Sequence, residues 1–511
     1  MRVGPGYQPR KVETYFQFPE DKGNFALATE RCFGVGKCRG LNGDTMCPSF
    51  KATREEMHTT RGRAHLLFEM MRGDVLANGW RDEHVKESLD LCLACKGCKS
   101  DCPVSVDMAT YKAEFLAHYY KGRIRPRQAY AMGLISNWAR LASLAPGLAN
   151  FLSHAPLLGQ IAKTMSGISP KREIPAFAPE TFKAWFKQRA RAAVAGGDLS
   201  AVASAKADDP GLRGSAQRAA TGVNAAGYSS AVNTRVLLWP DTFNNYFLPK
   251  TAKAAVEVLE NAGCQVAIPQ RVLCCGRPLY DYGMLTKAKR WLEDILKVLG
   301  EEIHAGTPVV FVEPSCAAVF RDELLNFFPS REDARRLSQQ TFLFDEYLQR
   351  IGYHPPRLER RAIVHGHCHR KALMGMQATQ QLLDAMGMNA EMLDSGCCGM
   401  AGSFGYERDH YDISMKVGEF QLLPRVRNNP RNDLIIADGF SCREQIAQTT
   451  DRRALHLAEV LAMALRDGPR GPTQQPPEDE FVQKPARLGW KPVAAIAAIL
   501  AAVGWLTRRR R

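Results

Sequence analysis

The sequence predicts an α+β multidomain protein in which a helical, cysteine-rich domain precedes a pseudo-twofold pair of α/β repeats. Three observations carry that expectation. Cys92, Cys95, Cys98 and Cys102 crowd into "CLACKGCKSDCP". Short aliphatic stretches alternate with helical ones twice between residues 234 and 466. Each of those two copies holds an adjacent cysteine pair followed by glycine. At 511 residues, 45% hydrophobic and 24% charged, the chain is long enough for two to four separate cores.

Fifteen cysteines need a chemical reason. The N-terminus, "MRVGPGYQPRKVETYF", has no apolar secretory leader, which predicts a reducing compartment and cysteines used as metal ligands or redox groups. The net charge is +15, but Lys484, Arg487, Lys491 and Arg508 to Arg511 place seven cations in the last 28 residues. The remainder is mildly basic and lacks the interleaved aromatic and basic pattern of a single-strand binder, so no nucleic-acid partner is expected.

Taken in order, residues 1–24 are an N-terminal extension and 25–125 the first domain, with seven cysteines. Its "TTRGRAHLLFEMMRG" predicts a helix capped by Thr59 or Thr60, with Leu66, Leu67, Met70 and Met71 on the apolar side. Residues 126–188 read as apolar helices broken at Pro146, Pro156 and Pro170. Within them "LISNWARLASLAPGLANFL" contains Arg140 and Pro146 and lacks the roughly 20 apolar residues of a membrane span, so it predicts a packed helix pair. An Ala/Gly/Ser/Asp-rich linker follows at 189–233, then repeat one at 234–355, repeat two at 356–466 and a second linker at 467–487. The repeats correspond as "VLLWPDTFNNYFLP" to "AIVHGHCHRKAL", "VLCCGRPLYDYG" to "SGCCGMAGSFGYE" and "VVFVEPSC" to "LIIADGFSC". Strand–helix alternation predicts parallel layers with functional residues at strand C-termini.

The spacing Cys92-x2-Cys95-x2-Cys98-x3-Cys102-Pro103 suits an iron–sulfur cubane, since one tight loop supplies three soft thiolates while the cysteine before proline reaches the other cluster. Zinc is the competing reading of paired cysteines. Exchange of the pre-proline cysteines assigns Cys92, Cys95, Cys98 and Cys47 to one [4Fe–4S] cluster. Cys32, Cys38 and Cys102 remain for a second, whose fourth corner faces Val35 in "RCFGVGKCRG". Three thiolates fit a [3Fe–4S] cluster or a [4Fe–4S] cluster with another fourth ligand. In repeat two, Cys368, Cys397, Cys398 and Cys442 form a four-thiol set. Repeat one has Cys274, Cys275 and Cys316, with Asp241 in the place of Cys368, and is either degenerate or completed by an oxygen of Asp241 or Glu313. His365, His367 and His369 around Cys368 either carry protons or hydrogen-bond a loop. Cys264 has no partner spacing and reads as a small buried hydrophobe.

These CCG motifs resemble the cysteine-rich domains of heterodisulfide reductase B subunits, glycolate oxidase iron–sulfur subunits and anaerobic glycerol-3-phosphate dehydrogenase C subunits. Over residues 1–466, "RCFGVGKCR", "MCPSF", "TRGRAHLLFE" and "CLACKGCKSDCPV" resemble the iron–sulfur half of FAD-linked D-2-hydroxyglutarate/D-lactate dehydrogenases. The resemblance implies a two-cluster ferredoxin-like domain followed by two CCG domains. No flavin-binding GxGxxG is present, so it also implies a separate FAD-binding 2-hydroxy acid oxidase subunit. In the heterodisulfide reductase pattern each repeat ends in CxxC, whereas here the first position of that pair is Glu313 in one copy and Gly439 in the other.

The tail at 488–511, which ends in "WKPVAAIAAILAAVGWLTRRRR", is short for a span and would place four arginines outside. It predicts a helix lying in the cytoplasmic leaflet, with a tail anchor or a partner-docking helix as alternatives. The expectation is therefore an iron–sulfur electron-transfer subunit on the inner face of the cell membrane, handing electrons to a quinone or other acceptor. A self-sufficient heterodisulfide-reductase-like enzyme using the second CCG centre is the alternative.

Overall fold

The computed structural model describes residues 6–41, 45–195, 234–473 and 476–487. Most of the expected linker at 189–233 and all of the tail at 488–511 lie outside the described residues. Helix Phe182–Ala195 runs past residue 189, because "RARAAVA" lacks glycine and proline and is rich in strong helix formers.

The first domain is a set of short helices wrapped around cysteine-bearing turns. Helix Thr60–Arg72 starts where Thr59 accepts a hydrogen bond from the Gly62 amide at 2.8 Å, satisfying one of the free donors of the first turn. It buries Leu67, Met70 and Met71 and ends at Gly73, which takes the left-handed φ of +79°. The buried Glu114 carboxylate of helix Met108–Tyr119 accepts from the Tyr15 and Phe16 amides at 2.8 and 3.0 Å. Phe16 in turn stacks on Phe327, with centroids 4.4 Å apart, so the N-terminal extension docks on repeat one.

The repeats form two parallel sheets. β1 (Arg235–Leu238), β2 (Gln265–Ala267), β3 (Val309–Phe311) and β4 (Thr341–Leu343) lie in the order β2-β1-β3-β4. β5 (Arg361–His365), β6 (Asn389–Met392) and β7 (Leu434–Ala437) lie in the order β6-β5-β7. Leu238 pairs with Val310 and Val364 with Ile436, which superposes the two copies residue for residue at their centres. The second copy reduces its fourth strand to one parallel bridge between Ile436 and Leu455. A single apolar core containing Val236, Leu259 and Val310 of one repeat and Val364, Ile436 and Leu461 of the other joins them.

Residues 127–166 form helices Arg127–Ala131, Ile135–Ala142, Pro146–His154 and Pro156–Ser166. They bridge the repeats: Arg125 donates to the Tyr282 and Gly283 carbonyls, and the Ser169 amide donates to Tyr406. The expected packed helix pair is packed on one side only. Ala139 and Asn150 are buried, but Trp138, Leu141, Leu144 and Leu152 are exposed. Among the described residues no helix is long and apolar enough to cross a membrane.

Candidate metal centres

Cys92, Cys95, Cys98 and Cys47 line one small cavity between the helices of the first domain. The turn that carries them is built from left-handed residues, Ala94 at φ +48° and Lys96 at +59°, and leads into helix Gly97–Asp101. Cys47 is itself left-handed, at +50°, and caps helix Pro48–Thr53. Backbone amides point at the sulfurs: Thr60 N–H lies 2.9 Å from Cys47 Sγ and Met108 N–H 3.4 Å from Cys98 Sγ. Such donors stabilise thiolates, so the surroundings fit metal ligation and not merely a buried apolar packing role.

Cys32, Cys38 and Cys102 form a second neighbourhood. Burial and the charges of Cys38 and Cys102 push the Cys32 thiol above its ordinary value, which places the three together. Cys38 also neighbours Cys47, so Cys47 stands between the two groups. Val35 is 54% exposed on the rim of this region.

In repeat two, β5 delivers His365 and Cys368, the loop after β6 delivers Cys397 and Cys398, and helix Phe440–Thr449 after β7 delivers Cys442. The four thiols form a chain. Cys368 adjoins Cys397, and Cys398 adjoins Cys397 and Cys442. Ligand atoms of His365, Cys398 and Cys442 all lie within 4.8 Å of one another. His365 Nδ1 is held by Ser395 Oγ at 2.6 Å, and its Nε2 is buried without a hydrogen-bond partner. His367 and His369 serve the loop: His367 Nδ1 accepts from the His369 amide at 3.2 Å, and His369 Nε2 donates to the Ala94 carbonyl at 2.9 Å. Gly439 is required by His367, since a Cβ there would sit 2.2 Å from its ring. The imidazole thus fills the space toward which a cysteine at 439 would point.

Repeat one corrects the sequence alignment by one residue. Asp241 caps helix Thr242–Tyr246, as His367 caps helix Cys368–Leu373. The counterpart of Cys368 is therefore Thr242, whose hydroxyl lies 3.7 Å from Cys274 Sγ. Asp241 and Glu313 both have structural partners. Asp241 Oδ1 accepts from the Phe243 and Asn244 amides, and Glu313 Oε2 accepts from the Phe440 amide of repeat two at 2.8 Å. Burial and the nearby Glu313 push the Asp241 carboxyl up to about 6. Cys275 and Cys316 lie 3.0 Å apart, Sγ to Sγ, with Cys274 beside Cys275. Cys264 is buried away from all these groups, beside Tyr347.

Residues 28–106 match the 4Fe-4S dicluster domain, and residues 242–321 and 364–447 each match the cysteine-rich domain. The chain thus carries a 4Fe-4S dicluster domain and two cysteine-rich domains. It is similar to a D-2-hydroxyglutarate dehydrogenase of Pantoea ananatis, 25% identical over 84% of this chain and 43% of that protein. It is also similar to the C subunit of the anaerobic glycerol-3-phosphate dehydrogenase of Escherichia coli, 24% identical over 64% of this chain and 80% of the relative. Lactate utilization protein A of Geobacillus thermodenitrificans is 26% identical over 44% of this chain and 98% of its own. The chain spans less than half the length of the D-2-hydroxyglutarate dehydrogenases it matches. The domain matches make it an iron–sulfur protein, and several of its relatives are dehydrogenases or dehydrogenase subunits.

The three domains meet at one loop. Leu93 and Cys95 of the dicluster domain share a buried cluster with Cys368 and Cys397 of the second cysteine-rich domain. Lys96 is fully buried and paired with Asp107 of its own domain and with Asp322 and Glu323 of the first cysteine-rich domain. Beside this loop an apolar cavity of about 140 Å3 opens between the cysteine-rich domains. Cys274, Cys316, His367 and Cys368 stand in its wall, and Ile135 of the bridging helices with the flanking Met132 and Ile168 roofs it. Sequence spacing reveals none of this cavity, because its apolar wall comes from residues hundreds of positions apart. The "HGHCH" pattern does mark His365 as unusual, but only the fold shows that it, and not its neighbours, approaches Cys398 and Cys442.

Proposed function

We propose that the chain is the iron–sulfur electron-transfer subunit of a flavin-linked D-2-hydroxy acid dehydrogenase, acting between a separate FAD subunit and a quinone or other acceptor. One observation carries the reading: the Cys95 turn of the dicluster domain packs directly on Cys368 and Cys397, so the two thiol-rich sites adjoin through buried contact. Cys92, Cys95, Cys98 and Cys47 hold one [4Fe–4S] cluster; Cys32, Cys38 and Cys102 hold a second, [3Fe–4S] or [4Fe–4S]; Cys368, Cys397, Cys398 and Cys442 hold a third. Clusters so placed exchange single electrons at potentials set by their ligands, burial and hydrogen bonds. Thr60 and Met108 supply amide hydrogen bonds to the sulfurs, and Lys96 keeps a positive charge beside Cys95. His369 stays neutral, since burial drives its pKa well below the ordinary value, and fixes the Ala94 turn. In the first cysteine-rich domain Cys274, Cys275 and Cys316 have Thr242 where the second has Cys368, so that copy keeps three thiols.

The competing reading is catalysis of disulfide-type chemistry within the protein itself. It draws on the cavity that reaches Cys274 and Cys368. Gly439 and the His367 ring lie where a further thiolate would stand, which favours electron transfer. Anaerobic purification followed by iron, sulfide and flavin analysis, with EPR before and after reduction, tests both. Iron and sulfide without flavin, together with hydroxy-acid activity only after addition of a flavoprotein, is the expected result. A zinc-only protein, or hydroxy-acid activity of the chain alone, overturns it.

A further inference from the structure

Eight of the sixteen large apolar side chains exposed among the described residues lie between residues 138 and 165. Leu144 is 81% exposed, Leu157 74% and Met165 70%. Leu157, Ile161 and Met165 follow one another at four-residue steps and form an outward stripe on helix Pro156–Ser166. The stretch is also asymmetric in charge. No aspartate or glutamate occurs between Glu114 and Glu173, while eight lysines and arginines do. Lys121, Arg123, Arg127 and Arg140 of this stretch are exposed. The acids that approach the cations of this stretch come from other elements or its edge, Glu83 3.9 Å from Arg123, Glu173 3.2 Å from the buried Lys163 and Asp412 3.5 Å from Lys171.

An apolar face on a stretch whose own charges are cationic up to its edge at Glu173 is complementary to an anionic bilayer, where the apolar side enters the acyl boundary and the cations meet headgroups. A second observation points the same way. Asn150 of helix Pro146–His154 donates to the Ala486 carbonyl at 2.9 Å, and the Ala486 amide donates to Phe177 at 3.0 Å. The sequence "WKPVAAIAAILAAVGWLTRRRR" is therefore joined to the described structure beside these helices. Folding that segment back as a cover would bring four arginines toward a stretch whose own charges are cationic, whereas an anionic surface attracts both. Ile135 of the same helices, with Met132 and Ile168 that flank them, lines the cavity between the cysteine-rich domains.

We propose that helices 135–166 are a seat on an anionic lipid bilayer, which sets the roof of the cavity against the lipid. The inference rests on the electron-transfer reading only in that the cavity would then receive its acceptor, a lipid-soluble quinone, from the membrane. The test uses the full chain and a variant lacking residues 488–511, each with and without the exposed substitutions Leu144→Glu, Leu157→Glu and Met165→Glu. Sedimentation with phosphatidylglycerol-containing vesicles and with pure phosphatidylcholine vesicles reads the partition. The expected result is preference for the anionic vesicles and, in the tail-deleted background, a fall of about tenfold or more on adding the three glutamates. Unchanged partition on adding them, complete loss of binding on tail deletion alone, or a change only in oligomeric state or in flavoprotein binding overturns the proposal. Iron and sulfide content of the same samples separates the two readings. An iron-free wild type counts against electron transfer, while iron-loaded protein that ignores lipid counts against the seat alone.

Discussion

At Gly439 the absence of a side chain is what allows His367 its position. Gly439→Ala would put a methyl 2.2 Å from the imidazole, beside the Cys368 helix, where only backbone or ring displacement relieves the clash. The expected outcome is a destabilisation of about 1–3 kcal/mol in thermal unfolding, with an altered EPR signal from the second cysteine-rich domain and an unaltered one from the dicluster domain. At Val35, exposed and beside the Cys32 group, Val35→Cys is expected to fold normally and to convert an oxidised [3Fe–4S] EPR signal into a [4Fe–4S] one. No oxidised signal in the native protein would indicate a fourth ligand already present. Val35 was legible because it stands where the paired cysteine run has a ligand, and Gly439 through the resemblance to the heterodisulfide reductase pattern, which has cysteine there. Asp241 was legible in kind but not in register. It resembles a ligand substitution in the sequence, yet its carboxylate caps a helix, and the capping geometry shows that Thr242 answers to Cys368.

Among the elements, the Leu93–Lys96 turn joins all three domains. Lys96→Met would remove the buried cation that Asp107, Asp322 and Glu323 share; Lys99 still reaches Asp107 and Asp322 and Arg277 still reaches Glu323, so the expected cost in urea unfolding is about 1–3 kcal/mol. A second contact between the dicluster domain and the second cysteine-rich domain is pH-dependent. Burial opposes charge on His410, but its contacts with Asp90 at 3.0 Å and Glu407 at 3.2 Å raise its pKa to about 9. A group whose folded pKa is raised stabilises fully below its unfolded value of about 6.5, and that stability is lost as pH climbs through 9. Because Asp90 is half exposed, the contribution is discounted to on the order of 2 kcal/mol. His410→Phe should flatten the stability profile between pH 6.5 and 9 while leaving unfolding above that range little changed. The helical spacing of the 135–166 stretch was readable, but not which face stays uncovered. That depends on Arg125 and Ser169, which bind its ends to the two repeats and turn only one side inward.

On the scale of the whole molecule, the repeats share one apolar core and the dicluster domain shares another with repeat one. Denaturation of cluster-loaded protein is therefore expected to be a single cooperative transition, followed by circular dichroism and cluster absorbance together. A fragment of residues 6–125 alone is expected to remain unfolded, because Phe16 and Lys96 would lose the partners that bury them. A fragment that gives a stable, sharp transition would contradict this. The pseudo-twofold arrangement was foreshadowed by the paired CCG motifs, whereas the cross-repeat bond from Glu313 to Phe440 had no sequence signal. The buried turn also dictates an order of assembly. Cys95 is enclosed against Cys368, Cys397 and Phe404 of repeat two once the domains have docked, so iron and sulfide must enter while that turn is still open. Maturation of the cluster thus comes before closure of the protein around it, and chains made under iron starvation should accumulate as an undocked form that proteases cut between the first domain and the repeats.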